Sequence, residues 1–133
     1  MYEDPLYNPG FPYKYDFSQI SEDEAEEYID SIFEEAETEI NSRINALKYG
    51  EALGVINSVL SGLTVALASA HVNPKIARKV IARIQAWLNK IKAALEAIAQ
   101  AFNAQNYYVE FSTPYTFTVG LLFNTPPCST TTP

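Results

Sequence analysis

The spacing of hydrophobic positions changes along the chain, and each change marks a candidate element. From Ser21 onward, Ala25, Ile29, Ile32, Phe33, Ala36, Ile40, Ile44 and Leu47 recur at helical intervals, which puts them on one face of a first helix. Ser21 and Glu24 match a capping box at its start, and Gly50 reads as its stop or hinge. A second helix is expected over residues 51–72. Leu53, Ile56, Val59, Leu60, Leu63 and Leu67 leave it apolar nearly all round, so it should be buried on most sides. Asn73 followed by Pro74 is a strong helix start. From there Ala77, Ile81, Ile84, Leu88, Ile91, Leu95, Ile98 and Phe102 alternate at spacings of four and three, the seam of a coiled coil. Val80, Trp87, Ala94 and Ala101 widen that seam into a bundle face. Unbroken, this third helix would be about 44 Å long.

After Phe102 the period falls to two. Tyr107, Val109 and Phe111 alternate with Tyr108, Glu110 and Ser112, and Tyr115, Phe117, Val119 and Leu121 alternate with Thr116, Thr118, Gly120 and Leu122. This predicts two short strands around Thr113-Pro114. The expected fold is therefore mainly α, a bundle of three to four helices with an extended N-terminal arm and a short C-terminal β-hairpin. The organisation reads as an aromatic arm over residues 1–20, a bundle over 21–104, a hairpin over 105–124 and a flexible Thr/Pro tail over 125–133.

Composition sharpens the picture at the two ends. In the arm, Pro5, Pro9, Gly10 and Pro12 disfavour regular structure. Tyr2, Tyr7, Phe11, Tyr13, Tyr15 and Phe17 make it too aromatic for a purely flexible tail. Either it docks on a partner or it folds back over its own domain. At the other end, residues 97–133 carry one charge, Glu110. Phe102, Tyr107, Tyr108, Phe111, Tyr115, Phe117 and Phe123 fall in this stretch. An apolar strand edge without charged guards invites pairing with another chain, and a lone hairpin is marginal in water. A covering partner is expected, the alternative being a hairpin laid across the chain's own bundle. The second helix adds a small-residue stripe, Gly54, Ser58, Gly62, Ala66 and Ala70, on which another helix can approach closely. The expected subunit interface thus comprises the aromatic residues of the arm, this stripe, and Tyr107, Tyr108, Phe111, Tyr115, Phe117 and Phe123.

Charge is segregated. Residues 22–39 hold ten acids and no base, and six of the nine bases are Lys75, Arg78, Lys79, Arg83, Lys90 and Lys92. Opposite blocks on two helices can set register within or between subunits. The basic residues are also a candidate phosphate or nucleic-acid contact, although the net charge of −7 and pI near 4.6 oppose binding by bulk charge. From Ala52 to Pro74 no charge occurs over 23 residues, long enough to cross a bilayer. Polar Asn57, Ser58, Ser61, Thr64, Ser69, His71 and Asn73 count against a membrane span.

Catalytic chemistry is sparse. His71 has no acid or thiol at a recognised spacing. Cys128 lies in the Pro/Thr tail without the electropositive setting of a reactive thiol. The dense carboxylates lack the Glu-x-x-His pairing of bundle di-metal sites, and no nucleotide-binding loop occurs. No enzyme, metal, cofactor or small-molecule substrate is expected. The chain does not open with a secretory signal pattern, so synthesis in the cytoplasm is expected.

The helical block Ser21–Phe102, flanked by the arm Tyr2–Phe17 and the Thr/Pro tail after Asn124, resembles coat proteins of filamentous or spindle-shaped archaeal viruses. The resemblance implies a self-assembling virion subunit made in the host cytoplasm, with itself as partner and viral DNA or lipid as further contacts. Many DNA-wrapping coat proteins are basic, whereas this chain is acidic, which favours an outer shell held by protein or lipid contacts. The alternatives are a membrane-associated helical protein and a small nucleic-acid-binding bundle.

Overall fold

The computed structural model describes residues 15–68, 72–112 and 116–123. Four helices run α1 (Glu22–Asn45), α2 (Tyr49–Leu67), α3 (Pro74–Lys90) and α4 (Lys92–Ala101), followed by strands β1 (Asn106–Ser112) and β2 (Thr116–Leu122). The chain is mainly helical with a C-terminal antiparallel hairpin. Tyr2, Tyr7, Phe11, Tyr13, Ala70, His71, Tyr115 and Cys128 lie outside the described residues.

Helix α1 starts where its sequence requires. The Ser21 hydroxyl accepts from the Glu24 N–H at 3.2 Å, and the Glu24 carboxylate accepts from the Ser21 N–H at 2.9 Å. Each satisfies an amide that the first turn leaves without a helical partner. Its end departs from expectation. The stop is Leu47, not Gly50: Leu47 takes a left-handed φ of 61°. The Lys48 N–H then reaches Arg43 O at 2.7 Å and the Leu47 N–H reaches Ile44 O at 2.9 Å. This is the paired closure that glycine usually permits at a helix end. Leu47 is consequently exposed rather than part of the apolar face, and Gly50 sits inside the first turn of α2.

Helix α2 occupies the centre of the bundle. Val55, Ile56, Val59, Leu60 and Leu63 are fully buried, because α1, α4 and β2 pack around it. It ends at Leu67, short of the expected residue 72. Helix α3 begins as anticipated, with Asn73 Oδ1 accepting from the Lys75 N–H at 2.8 Å and Pro74 in the first turn.

The long third helix is bent into two. Ile91 has φ −93° and ψ 19°, yet hydrogen bonds run through it, from the Ile91 N–H to Trp87 O at 2.9 Å and from the Leu95 N–H to Ile91 O at 3.0 Å. The regular helix is interrupted at this one residue, with no proline or glycine at the bend. Leu88, Ile91 and Leu95 remain buried across it. Helix α3 lies on α1, whereas α4 reaches α2 and β1. The bend lets one apolar seam serve different neighbours. Helix α4 closes through Asn103, at φ 58°, a conformation asparagine tolerates.

Strands β1 and β2 pair with Val109 opposite Val119, Tyr107 opposite Leu121 and Phe111 opposite Phe117. Phe117 and Val119 join the hydrophobic core. The hairpin therefore lies across its own bundle through β2, the alternative left open by the sequence.

Candidate subunit interface

The charge blocks meet inside one chain. Lys79 Nζ donates to Glu26 Oε2 at 2.6 Å, and Arg83 reaches Asp30 Oδ1 at 2.9 Å and Glu26 Oε1 at 3.3 Å. Lys90 Nζ lies 3.4 Å from Glu37 Oε2. The same Glu37 oxygen accepts from Trp87 Nε1 at 3.0 Å. Beneath these contacts the Trp87 ring stacks on Phe33, with centroids 4.4 Å apart and planes 8° apart. Donation from Lys79 holds the Glu26 carboxyl below its ordinary value, and the Glu26 hydrogen bond holds the Lys79 ammonium above its own. Lys79, Arg83 and Lys90 thus flank the α1–α3 seam rather than forming a free basic face. Lys75, Arg78 and Lys92 are exposed and form no ion pair with a described residue.

Part of the expected interface is internal. Phe17 is 1% exposed. Its ring meets Tyr28 edge-on at 5.1 Å, and Tyr15 meets the same ring at 6.4 Å. The described part of the arm thus folds back on α1, because Tyr28 offers an aromatic surface next to the capping box. Gly62 and Ala66 are buried within the bundle, whereas Gly54 and Ser58 are half-buried. Phe117 is also a core residue. For Phe17, Gly62, Ala66 and Phe117 the correction is the same: packing within the chain already covers them.

Among the described residues, what remains open is the outer part of the hairpin. The two edges of its sheet differ in a way the sequence pattern does not disclose. At the β2 edge, Asn57 of α2 acts as a substitute strand. Its Nδ2 donates to Val119 O at 3.0 Å, and its Oδ1 accepts from the Val119 N–H at 2.9 Å. Both main-chain groups of Val119 therefore point away from β1. In an antiparallel ladder directly opposed residues share this orientation. Val109, opposite Val119, thus turns its own N–H and C=O to the free edge of β1, as do Tyr107 and Phe111 two residues away. The Tyr107 N–H agrees, since it is taken by the Asn106 side chain at 2.8 Å rather than by β2.

The side chains along that edge are also uncovered. Val109 and Phe111 lie on the bundle-facing side of the sheet but are 40% and 47% exposed, because β2, not β1, is seated on α2. Phe102, Leu122 and Phe123 are exposed nearby in sequence. On the outer face, Tyr108 lies against Gly120, so that a Cβ at Gly120 would fall 2.4 Å from the Tyr108 Cζ. Tyr107 is half-buried. Val109, Leu122 and Phe102 extend the exposed apolar set at this end, and the expected interface omits all three. The sequence shows Val109 only as a strand position, and Asn57 only as a polar dilution of an apolar helix.

Two grooves flank these regions. One of about 360 Å³ is lined by Asp30, Phe33, Glu37, Arg83, Trp87 and Lys90 among others. Another of about 290 Å³ is lined by Asn57, Ser61, Thr64, Val65, Phe117 and Thr118. Among the described residues no group of three His, Cys, Asp or Glu side chains is placed to hold a metal ion. Helix α2 is long and apolar enough to cross a membrane, with mean hydropathy 1.4, and 56% of that stretch is buried inside the protein. Comparison with family models, curated proteins and solved structures finds no match to this chain.

Proposed function

We propose that the chain is a non-enzymatic structural subunit that assembles with copies of itself, most concretely as a virion coat protein. The observation that carries this reading is the open β1 edge. It combines main-chain groups of Val109 and Phe111 that meet no partner among the described residues, the exposed side chains of the same two residues, and a 37-residue stretch with one charge. Monomeric proteins guard such an edge with charge, proline or a covering element. The coat identity rests on the likeness of the arm, helical block and tail to archaeal viral coats. Protein contacts dominate in this reading, since Lys79, Arg83 and Lys90 of the basic set are paired with acids of α1. The test is sedimentation and negative-stain microscopy of the purified protein over a range of concentrations. Large particles or filaments are expected. A dispersed monomer at every concentration overturns the reading.

A further inference from the structure

We propose that β1 pairs antiparallel with β1 of a second copy about a two-fold axis at Val109, joining two hairpins into a four-stranded sheet. This deepens the self-assembly reading and rests on it.

The free edge selects its own occupant. Only Tyr107, Val109 and Phe111 present main-chain groups outward, because Asn106, Tyr108, Glu110 and Ser112 face β2 in the ladder set by Val109–Val119. A strand added there must match three outward residues with three of its own. In the register that sets Val109 opposite Val109, Tyr107 stands opposite Phe111 and Phe111 opposite Tyr107, so all three find partners. Asn106 then releases the Tyr107 N–H it holds in the single chain. A shift of two residues in either direction pairs only two of the three within the strand. One such shift also sets Glu110 opposite Glu110, a like-charge pair that destabilises a sheet. In the centred register Glu110 instead faces Tyr108 of the second copy.

Side chains and charge favour the same arrangement. The exposed Val109 and Phe111 gain Val109 and Tyr107 of the second copy as neighbours on the bundle-facing side. Strand addition of this kind draws affinity from main-chain hydrogen bonds and specificity from alternate side chains. Two chains of net charge −7 repel, most of all where α1 concentrates its ten acids. The hairpin end, with Glu110 as its one charge, is where they can approach with least repulsion. The β2 edge is blocked at its centre, where Asn57 holds both main-chain groups of Val119.

The experiment uses the full chain in a Cys128→Ser background. Val109→Cys is expected to form disulfide-linked dimers under mild oxidation, since paired Cα atoms in such a ladder are about 5.5 Å apart, within disulfide range. Ser112→Cys is the control and should not crosslink, because in this register the two copies of residue 112 are separated by about 20 Å. Val109→Pro removes an N–H that β2 does not use, so the hairpin tolerates it while the inter-copy pairing does not. It should raise the concentration for half-assembly by about tenfold or more, with unchanged circular dichroism. Particles that form normally with Val109→Pro and show no crosslink at 109 overturn the pairing and leave self-assembly standing. The pairing is likewise overturned if deletion of residues 1–14 abolishes assembly and position 109 does not crosslink, since another segment would then fill the edge. A parent chain that stays monomeric overturns both proposals. If Val109→Pro disturbs the fold, the crosslinking pair alone decides.

Discussion

The α1–α3 seam and the hairpin end solve opposite problems. The seam is rich in charge, and its charges are satisfied by one another: Glu26, Asp30 and Glu37 meet Lys79, Arg83 and Lys90 above the stacked Phe33 and Trp87. The hairpin end has almost no charge. The Asn57 amide caps one sheet edge at Val119, and among the described residues the other edge is left open. Saturated polar groups make a surface that has no need of a neighbour, whereas main-chain groups at a free strand edge retain their bonding capacity. A chain can therefore be saturated on one side and keep main-chain bonding capacity on another.

The contrast can be broken most severely at Trp87. Trp87→Ala removes the stacked ring and the donor to Glu37, and should cost about 3–5 kcal/mol in urea unfolding followed by circular dichroism. If the seam is closed within one chain, Trp87→Phe recovers most of this loss and leaves assembly unchanged. Asn57→Ala attacks the other region. It strips the partners from the Val119 N–H and C=O and should cost about 2–3 kcal/mol. It also converts a closed edge into a second open one, read as faster amide exchange at Val119 and as irregular aggregates in place of ordered particles.

Smaller changes sharpen the comparison. Gly120→Ala sets a methyl where the Tyr108 ring lies. The clash is with the far end of a partly exposed side chain, so the ring swings aside and the cost is about 1 kcal/mol or less. Assembly should change more than stability, because Tyr108 faces Glu110 of the second copy in the proposed register. The smallest effect is that of pH on the seam. The Glu26 carboxyl is held down by Lys79, so its contribution is present above the ordinary value of 4.5 and lost as pH falls through the lowered one. The Lys79 ammonium is held up by Glu26, so its contribution is complete below 10.5 and lost as pH rises through the raised value. The difference in Tm between the parent and Glu26→Gln should stay constant between those limits and shrink outside them. Salt should shrink it too, while the proposed strand pairing at the sparsely charged hairpin is left in place.

Much of the fold was legible because its signals are local. The Ser21–Glu24 box, the Asn73-Pro74 start and the period-two alternation of the strands are decided by residues three or fewer positions apart, and all three appear in the structure. The helix breaks were less legible. Leu47 adopts a conformation that its side chain disfavours, and no residue type at Ile91 announces a bend. Both follow from where the bundle needs its chain to go. Among the candidate interface residues, sequence alone could not separate Phe17 and Phe117, which are core, from Phe111 and Phe123, which are exposed. An aromatic residue has the same character whether its neighbour is Tyr28 or solvent.

Periodicity, caps and composition are properties of short stretches of chain. They suffice to make this protein helical, to give it a hairpin, and to keep charge away from its C-terminal end. Which strand edge stays open is settled at a different level, by packing. It depends on a side chain 62 residues away, Asn57, arriving at Val119. A contact across such a separation has no counterpart in local pattern, because it exists only once α2 and β2 have been packed together.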